Sequence, residues 1–213
     1  MSIEIQIKQV QTATSSEELI SAVRMLAAQC DPLSIATLVE VLGYNNPGAA
    51  VAAVDGLVRL GEVAVMPILK LLDGYNYGAR AWAIRALAEI GDNRAIDLLL
   101  DSAENDFSLS VRRSATRGLG NLSWHQFTNQ EIATVQKSVL NLLIKVSQES
   151  EWVVRYAAIM SLESLALNDR SEIFQAILQF LETRLVLEQD NTVWARIQFA
   201  IDKISSKPEP KNY

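Results

Sequence analysis

Apolar side chains return along this chain at the i, i+4, i+7 spacing that lays one stripe down an α-helix. The first clear stripe is Ala53, Leu57 and Leu60, and an offset of 30 residues carries it onto Ala83, Leu87 and Ile90. A further offset of 32 gives Ala115, Leu119 and Leu122, and one of 43 gives Ala158, Leu162 and Leu165. Ahead of each of these helices lies a second amphipathic segment, read as Pro32 to Leu42, Val63 to Leu72, Arg94 to Ala103, and Glu131 to Ser147. Two helices in every 30 to 43 residues make a repeated hairpin, too small to bury its stripe except against the next one.

The local punctuation agrees with that period. Pro32 follows Asp31 as a first helical residue follows its cap, and Gly61 and Gly91 stand where a helix ends in a left-handed residue. Ser16 begins a helix with Glu18 in its first turn, and nothing earlier is read as an element. Ser171 to Leu187 and Asn191 to Ser205 form a last, degenerate pair, and Lys207 to Tyr213 reads as a frayed end. No linker interrupts the series, so residues 1–205 read as one domain with a tail over 206–213. The expected fold is all-α, a solenoid of about five to six stacked antiparallel helix pairs like those of HEAT proteins. Small residues at Ala53, Ala83, Ala115 and Ala158 let its helices approach closely.

Composition narrows the functions open to such an array. Of 213 residues 49% are apolar and 21% charged, with only nine Gly and five Pro, which favours long helices over disorder or a turn-rich β fold. A net charge of -6 opposes broad attraction to phosphate backbones or anionic membranes, so nucleic acid is not an expected partner. Apolar runs such as Leu98 to Leu100 are far short of the roughly 20 residues of a membrane span. No signal-peptide pattern opens the chain and Cys30 is the single cysteine, so a cytoplasmic location is expected.

Conventional active-site chemistry is absent from the sequence. One histidine, His125, and one thiol in another repeat supply neither a four-ligand zinc site nor a convincing activated thiolate, and Cys30 reads as an inert buried residue. No catalytic residue is assigned. What remains is the face of each second helix beside the buried stripe. There the repeat offsets align Asp55, Arg85, Arg117 and Met160 as a ladder, with Trp82 alongside. An acid, two guanidiniums and an indole suit an elongated, planar, conjugated ligand that bears carboxylates. The competing reading pairs Asp55 with Arg85 as a plain surface ladder. Arg80, Arg112 and Arg155 recur at one register and read as ties between helices, and Trp152, Tyr156 and Trp194 as packing or interface residues. Tyr44, Tyr75 and Tyr77 fall in inter-helix turns, where their rings are placed to clamp a ligand edge or cover a partner.

The run Gly74-Tyr75-Asn76-Tyr77-Gly78-Ala79-Arg80-Ala81-Trp82-Ala83-Ile84-Arg85-Ala86-Leu87-Ala88-Glu89-Ile90-Gly91 resembles the E/F-type phycobilin lyases of cyanobacteria, in the branch of their F subunits. Gly43-Tyr44-Asn45-Asn46-Pro47 and Ser110-Val111-Arg112-Arg113-Ser114-Ala115 extend the likeness. The resemblance implies a heterodimer with a longer E-type subunit that attaches phycocyanobilin, by a reversible thioether bond, to a cysteine of the phycocyanin α subunit. It implies no metal, nucleotide or resident cofactor, the bilin being substrate. Isomerising relatives carry an adjacent His-Cys pair that this chain lacks, which points to attachment without isomerisation. On that view Asp55, Tyr75, Tyr77, Trp82, Arg85 and Arg117 are the bilin-binding candidates, an assignment made from the ladder and not carried over from the family. The rival readings are a non-catalytic relative that binds phycobiliprotein or bilin during phycobilisome degradation, and a general protein-binding scaffold.

Overall fold

The structure, a computed structural model, describes residues 1–72, 77–168 and 172–206. Among them are twelve α-helices and no strand. The chain divides into two compact units, Met1–Ala95 and Ile96–Tyr213. The first contains α1 (Ile3–Thr12), α2 (Ser16–Ala28), α3 (Ile35–Val41), α4 (Pro47–Leu60), α5 (Glu62–Leu71) and α6 (Tyr77–Ile90). The second contains α7 (Ile96–Asn105), α8 (Leu109–Leu119), α9 (Asn129–Val146), α10 (Trp152–Asn168), α11 (Glu172–Leu187) and α12 (Asn191–Ser205).

Within each unit the helices pair in sequence order and the pairs stack. In the first, α2 packs on α4 and α4 on α6, while α3 packs on α5; in the second, α8 packs on α10 and α10 on α12, with α7 against α9. Ala53, Ala83, Ala115 and Ala158 are all fully buried, as the repeat register requires. Each stands where a larger side chain would hold neighbouring second helices apart.

Helix ends follow the punctuation. Gly61 and Gly91 have φ of 68° and 71°, and Gly61 alone connects α4 to α5, a reversal that a residue with a Cβ makes only under strain. Pro32–Ser34 and Asn93–Ala95 are short 3-10 turns that lead into α3 and α7, so those two helices begin slightly later than the periodicity predicts.

One element escapes the sequence reading altogether. Residues 3–8 alternate apolar and polar, yet they form α1, which packs on α2. The face α1 buries is Gln6 with Val10, four residues apart, whereas Ile5 remains exposed. Contact with α2 therefore overrides the local pattern. A second departure is Cys30, expected to be buried: it is exposed, at a positive φ of 50°, in the turn that follows α2.

Candidate functional site

The six second helices, α2, α4, α6, α8, α10 and α12, share a register when counted from their own first residues. Their seventh residues are Ala22, Ala53, Ala83, Ala115, Ala158 and Ile197, all buried. Side-chain caps fix three of these starting points, those of α2, α4 and α12. Ser15 Oγ accepts the Glu18 N–H at 3.1 Å, Asn46 Oδ1 accepts the Ala49 N–H at 3.0 Å, and Asp190 Oδ1 accepts those of Thr192 and Val193 at 2.8 and 3.1 Å. Asn46 also donates from Nδ2 to Ser16 Oγ at 2.9 Å, which ties the starts of α2 and α4 together.

Two residues beyond the buried position, about 200° further around the helix, the side chains face away from the core. In the first unit this row reads Arg24, Asp55 and Arg85; in the second it reads Arg117, Met160 and Phe199. All six are exposed or half-buried. Within each unit they lie on consecutive packed helices.

Asp55 does not pair with Arg85. The Arg85 Nε instead donates to Glu89 Oε1 at 2.9 Å along its own helix, and its guanidinium lies 5.8 Å from the ring centroid of the half-buried Trp82. An i,i+4 pair this exposed holds only about 0.3 to 0.5 kcal/mol, so Glu89 yields easily to a competing carboxylate. Arg24, Asp55 and Arg117 form no side-chain hydrogen bond or ion pair with any described residue, which leaves two guanidiniums and one carboxylate available to a ligand. Tyr75 lies outside the described residues. Tyr77, expected in a turn, is the first residue of α6. Tyr44 donates from its hydroxyl to Glu40 Oε1 at 3.0 Å; burial, then that hydrogen bond and the Glu40 charge, raise its pKa.

The recurrent arginines are ties. Arg112 donates to Asp106 O at 2.9 Å and to Glu149 Oε2 at 3.2 Å. Arg155 reaches Glu149 O and Ser150 O and clasps Glu188 with two parallel bonds of 3.1 and 2.9 Å, while Arg184 adds a third to the same carboxylate. Burial pushes Glu188 upward, but the Arg155 hydrogen bond, the Asp190 N–H and the two guanidinium charges outweigh it and hold the carboxyl below its ordinary value. Arg80 is engaged as well.

Arg24 and Phe199 share the row but are hidden from the repeat offsets, because neither terminal helix pair carries a glycine turn to set its phase. Counting from the Ser15 and Asp190 caps finds both. Among the described residues no cluster of three His, Cys, Asp or Glu side chains is arranged to hold a metal, and no helix is long and apolar enough to cross a membrane.

Comparison with known proteins sets this arrangement in a family. The model of the HEAT repeats matches residues 64–120. The phycocyanin alpha phycocyanobilin lyase CpcF of Synechocystis sp. is 49% identical over 95% of this chain and 94% of its own length. A phycocyanobilin lyase subunit beta of Nostoc sp. is 46% identical over 90% of this chain and 94% of its own. A chain in the solved complex of CpcE and CpcF of phycocyanin lyase from Nostoc sp. matches with a TM-score of 0.73 at 47% identity, over 80% of this chain and 99% of that one.

Proposed function

We infer, because the chain belongs to the E/F-type phycobilin lyase family, that it is one subunit of a heterodimeric lyase. With an E-type partner it attaches phycocyanobilin through a thioether to a cysteine of the phycocyanin α subunit. The observation that carries this reading is the 49% identity, spread over 95% of the chain and so over every repeat. A likeness confined to the buried stripes would have shown the fold alone. His125 and Cys30 are far apart in sequence, and the chain has no adjacent pair of the kind that marks the isomerising relatives, so attachment proceeds without isomerisation. The cytoplasm is its place of action, and the bilin is substrate, with no resident cofactor.

The absence of a catalytic triad follows from the reaction. The nucleophile is the acceptor's own thiol, whose S–H adds across the ethylidene double bond: a C–S and a C–H bond form, and no oxidant or reductant is consumed. What the lyase contributes is the extended placement of the tetrapyrrole and the aim of its ethylidene carbon at sulfur. We assign Asp55 to the pyrrole N–H groups, Arg85 and Arg117 to the propionates, and Trp82, Tyr75 and Tyr77 to the ring edges. Each charge-assisted hydrogen bond is worth roughly 1.5 to 3 kcal/mol. Arg85 is supported by its weakly held pair with Glu89, and Asp55 and Arg117 by having no protein partner among the described residues. Holding stays modest, since the pigment must be released onto its acceptor.

Co-expression of the chain with an E-type subunit, the phycocyanin α subunit and a bilin source tests the reading. A covalently pigmented acceptor that fluoresces in zinc is expected only when both lyase subunits are present. Full labelling without this chain, or none with it, refutes the assignment.

A further inference from the structure

We propose that α10 and α12 carry a second, separate docking position for a bilin, a stacking platform for a planar conjugated carboxylate built on Phe199 and Lys203; this rests on the lyase reading above. Phe199 occupies the same row as Arg117 and Met160 and is 58% exposed. A ring this exposed, in a row that elsewhere carries Arg117 and Met160, offers an open face to an aromatic ligand.

The surroundings are built, not incidental. The Arg196 guanidinium lies over two rings, 5.3 Å from the Phe199 centroid and 5.9 Å from that of Tyr156 on α10. Lys203 Nζ lies 6.0 Å from the Phe199 centroid. Arg196 is only 8% exposed and donates from Nη2 to the buried Glu163, whose other oxygen takes Lys203 Nζ at 2.6 Å. One carboxylate thus faces two cations. The imbalance is visible at Arg196 Nη1, which is buried and has no hydrogen-bond partner.

A simple tie between α10 and α12 needs Glu163 and Arg196 alone. It explains neither the open Phe199 ring nor a half-exposed lysine left with half a carboxylate. Both are explained by a ligand whose conjugated ring lies on Phe199 and whose carboxylate takes the Lys203 ammonium, offsetting the surplus charge. An extended tetrapyrrole with propionate groups has that chemistry. Arg196 and Tyr156 position the platform, and Phe199 and Lys203 touch the ligand.

The test uses the heterodimer co-purified with its E-type partner and titrated with phycocyanobilin, read by visible absorption and induced circular dichroism. Phe199→Ala is expected to weaken binding about tenfold, the loss that follows removal of an aromatic platform from a stacked ring. Phe199→Leu, which keeps the apolar area, is expected to change the induced dichroism while leaving far-ultraviolet spectra and partner co-purification intact. Lys203→Gln is expected to weaken binding less and to flatten its salt dependence. Wild-type affinity and dichroism in both Phe199 variants overturn the proposal. So does loss of the E-type partner from Phe199→Ala, which would make this surface a protein interface. A wild-type heterodimer that binds no bilin overturns the lyase reading itself, a result distinct from the other two.

Discussion

Replacing Gly120 by alanine sets local conformation against packing, and the two predict opposite signs. Gly120 caps α8 at φ −81° and ψ −10°, a conformation open to any residue. By chain entropy alone, alanine there would stabilise the protein by about 0.4 to 1 kcal/mol. A Cβ at this position would, however, lie 2.6 Å from Ser161 Cα and 2.7 Å from its Cβ and Oγ. Ser161 is itself buried and donates to Thr116 O at 2.8 Å, and Ser164 donates to Gly120 O at 2.5 Å. Relieving the overlap moves α10 away from α8 and lengthens both hydrogen bonds. Overpacking of this kind costs about 1 to 3 kcal/mol, and each weakened bond about 0.5 to 1.5 kcal/mol. After the entropic gain is deducted, a net loss of about 1 to 5 kcal/mol is expected. In a chain of this length that corresponds to a melting temperature lower by roughly 2 to 20 °C, read by far-ultraviolet circular dichroism. Because the nearest atom is backbone, trimming Ser161 to glycine as well does not rescue the variant. An unchanged or raised melting temperature in Gly120→Ala would refute the claim that α8 and α10 meet at this contact.

Ala83→Phe should lower the melting temperature through an overpacking cost of about 1 to 3 kcal/mol, and a wild-type melt would count against the shared register of the second helices. Arg155→Met should cost roughly 2 to 4 kcal/mol in a urea titration, since it strips Glu188 of its bidentate partner and leaves only Arg184 and two N–H groups. Glu188 is held below its ordinary value of 4.5, so its contribution is complete above that pH and disappears as pH falls through the lower folded-state value. The wild-type protein should therefore lose stability on acidification below about 4.5, and Arg155→Met should show a shallower loss over the same window. Arg85→Ala and Arg117→Ala should each weaken phycocyanobilin binding by the heterodimer about tenfold or more, measured by visible absorption. Unchanged binding in both would remove these residues from the site.

The repeat was legible because α4, α6, α8 and α10 solve the same local problem with the same residues. A small side chain at the seventh position and Leu or Ile one and two turns on are demanded by close helix stacking wherever it occurs. Asp55, Arg85 and Arg117 could be aligned for the same reason. The aromatic and cationic ends of the row were less legible. Phe199 stands in a helix whose buried position carries Ile197 in place of alanine, so the stripe that marks the other repeats is altered there. Arg24 belongs to a helix whose partner, α1, has a sequence that alternates like a strand, which hid the first pair.

By itself, then, the sequence determined the elements after α1 and their phase, because helix caps, glycine turns and a period near 3.6 act within one or two turns of chain. It also determined the family, because identity extends over every repeat. Pairing was left to the tertiary structure. Arg85 and Asp55 had each other as plausible partners on paper. Reach and competition between neighbouring helices decided that Arg85 turns to Glu89, that Asp55 remains open, and that Glu163 takes Arg196 and Lys203 together. A charged side chain is long and its partners are many, so its choice follows from three-dimensional distance and burial, which no linear spacing encodes.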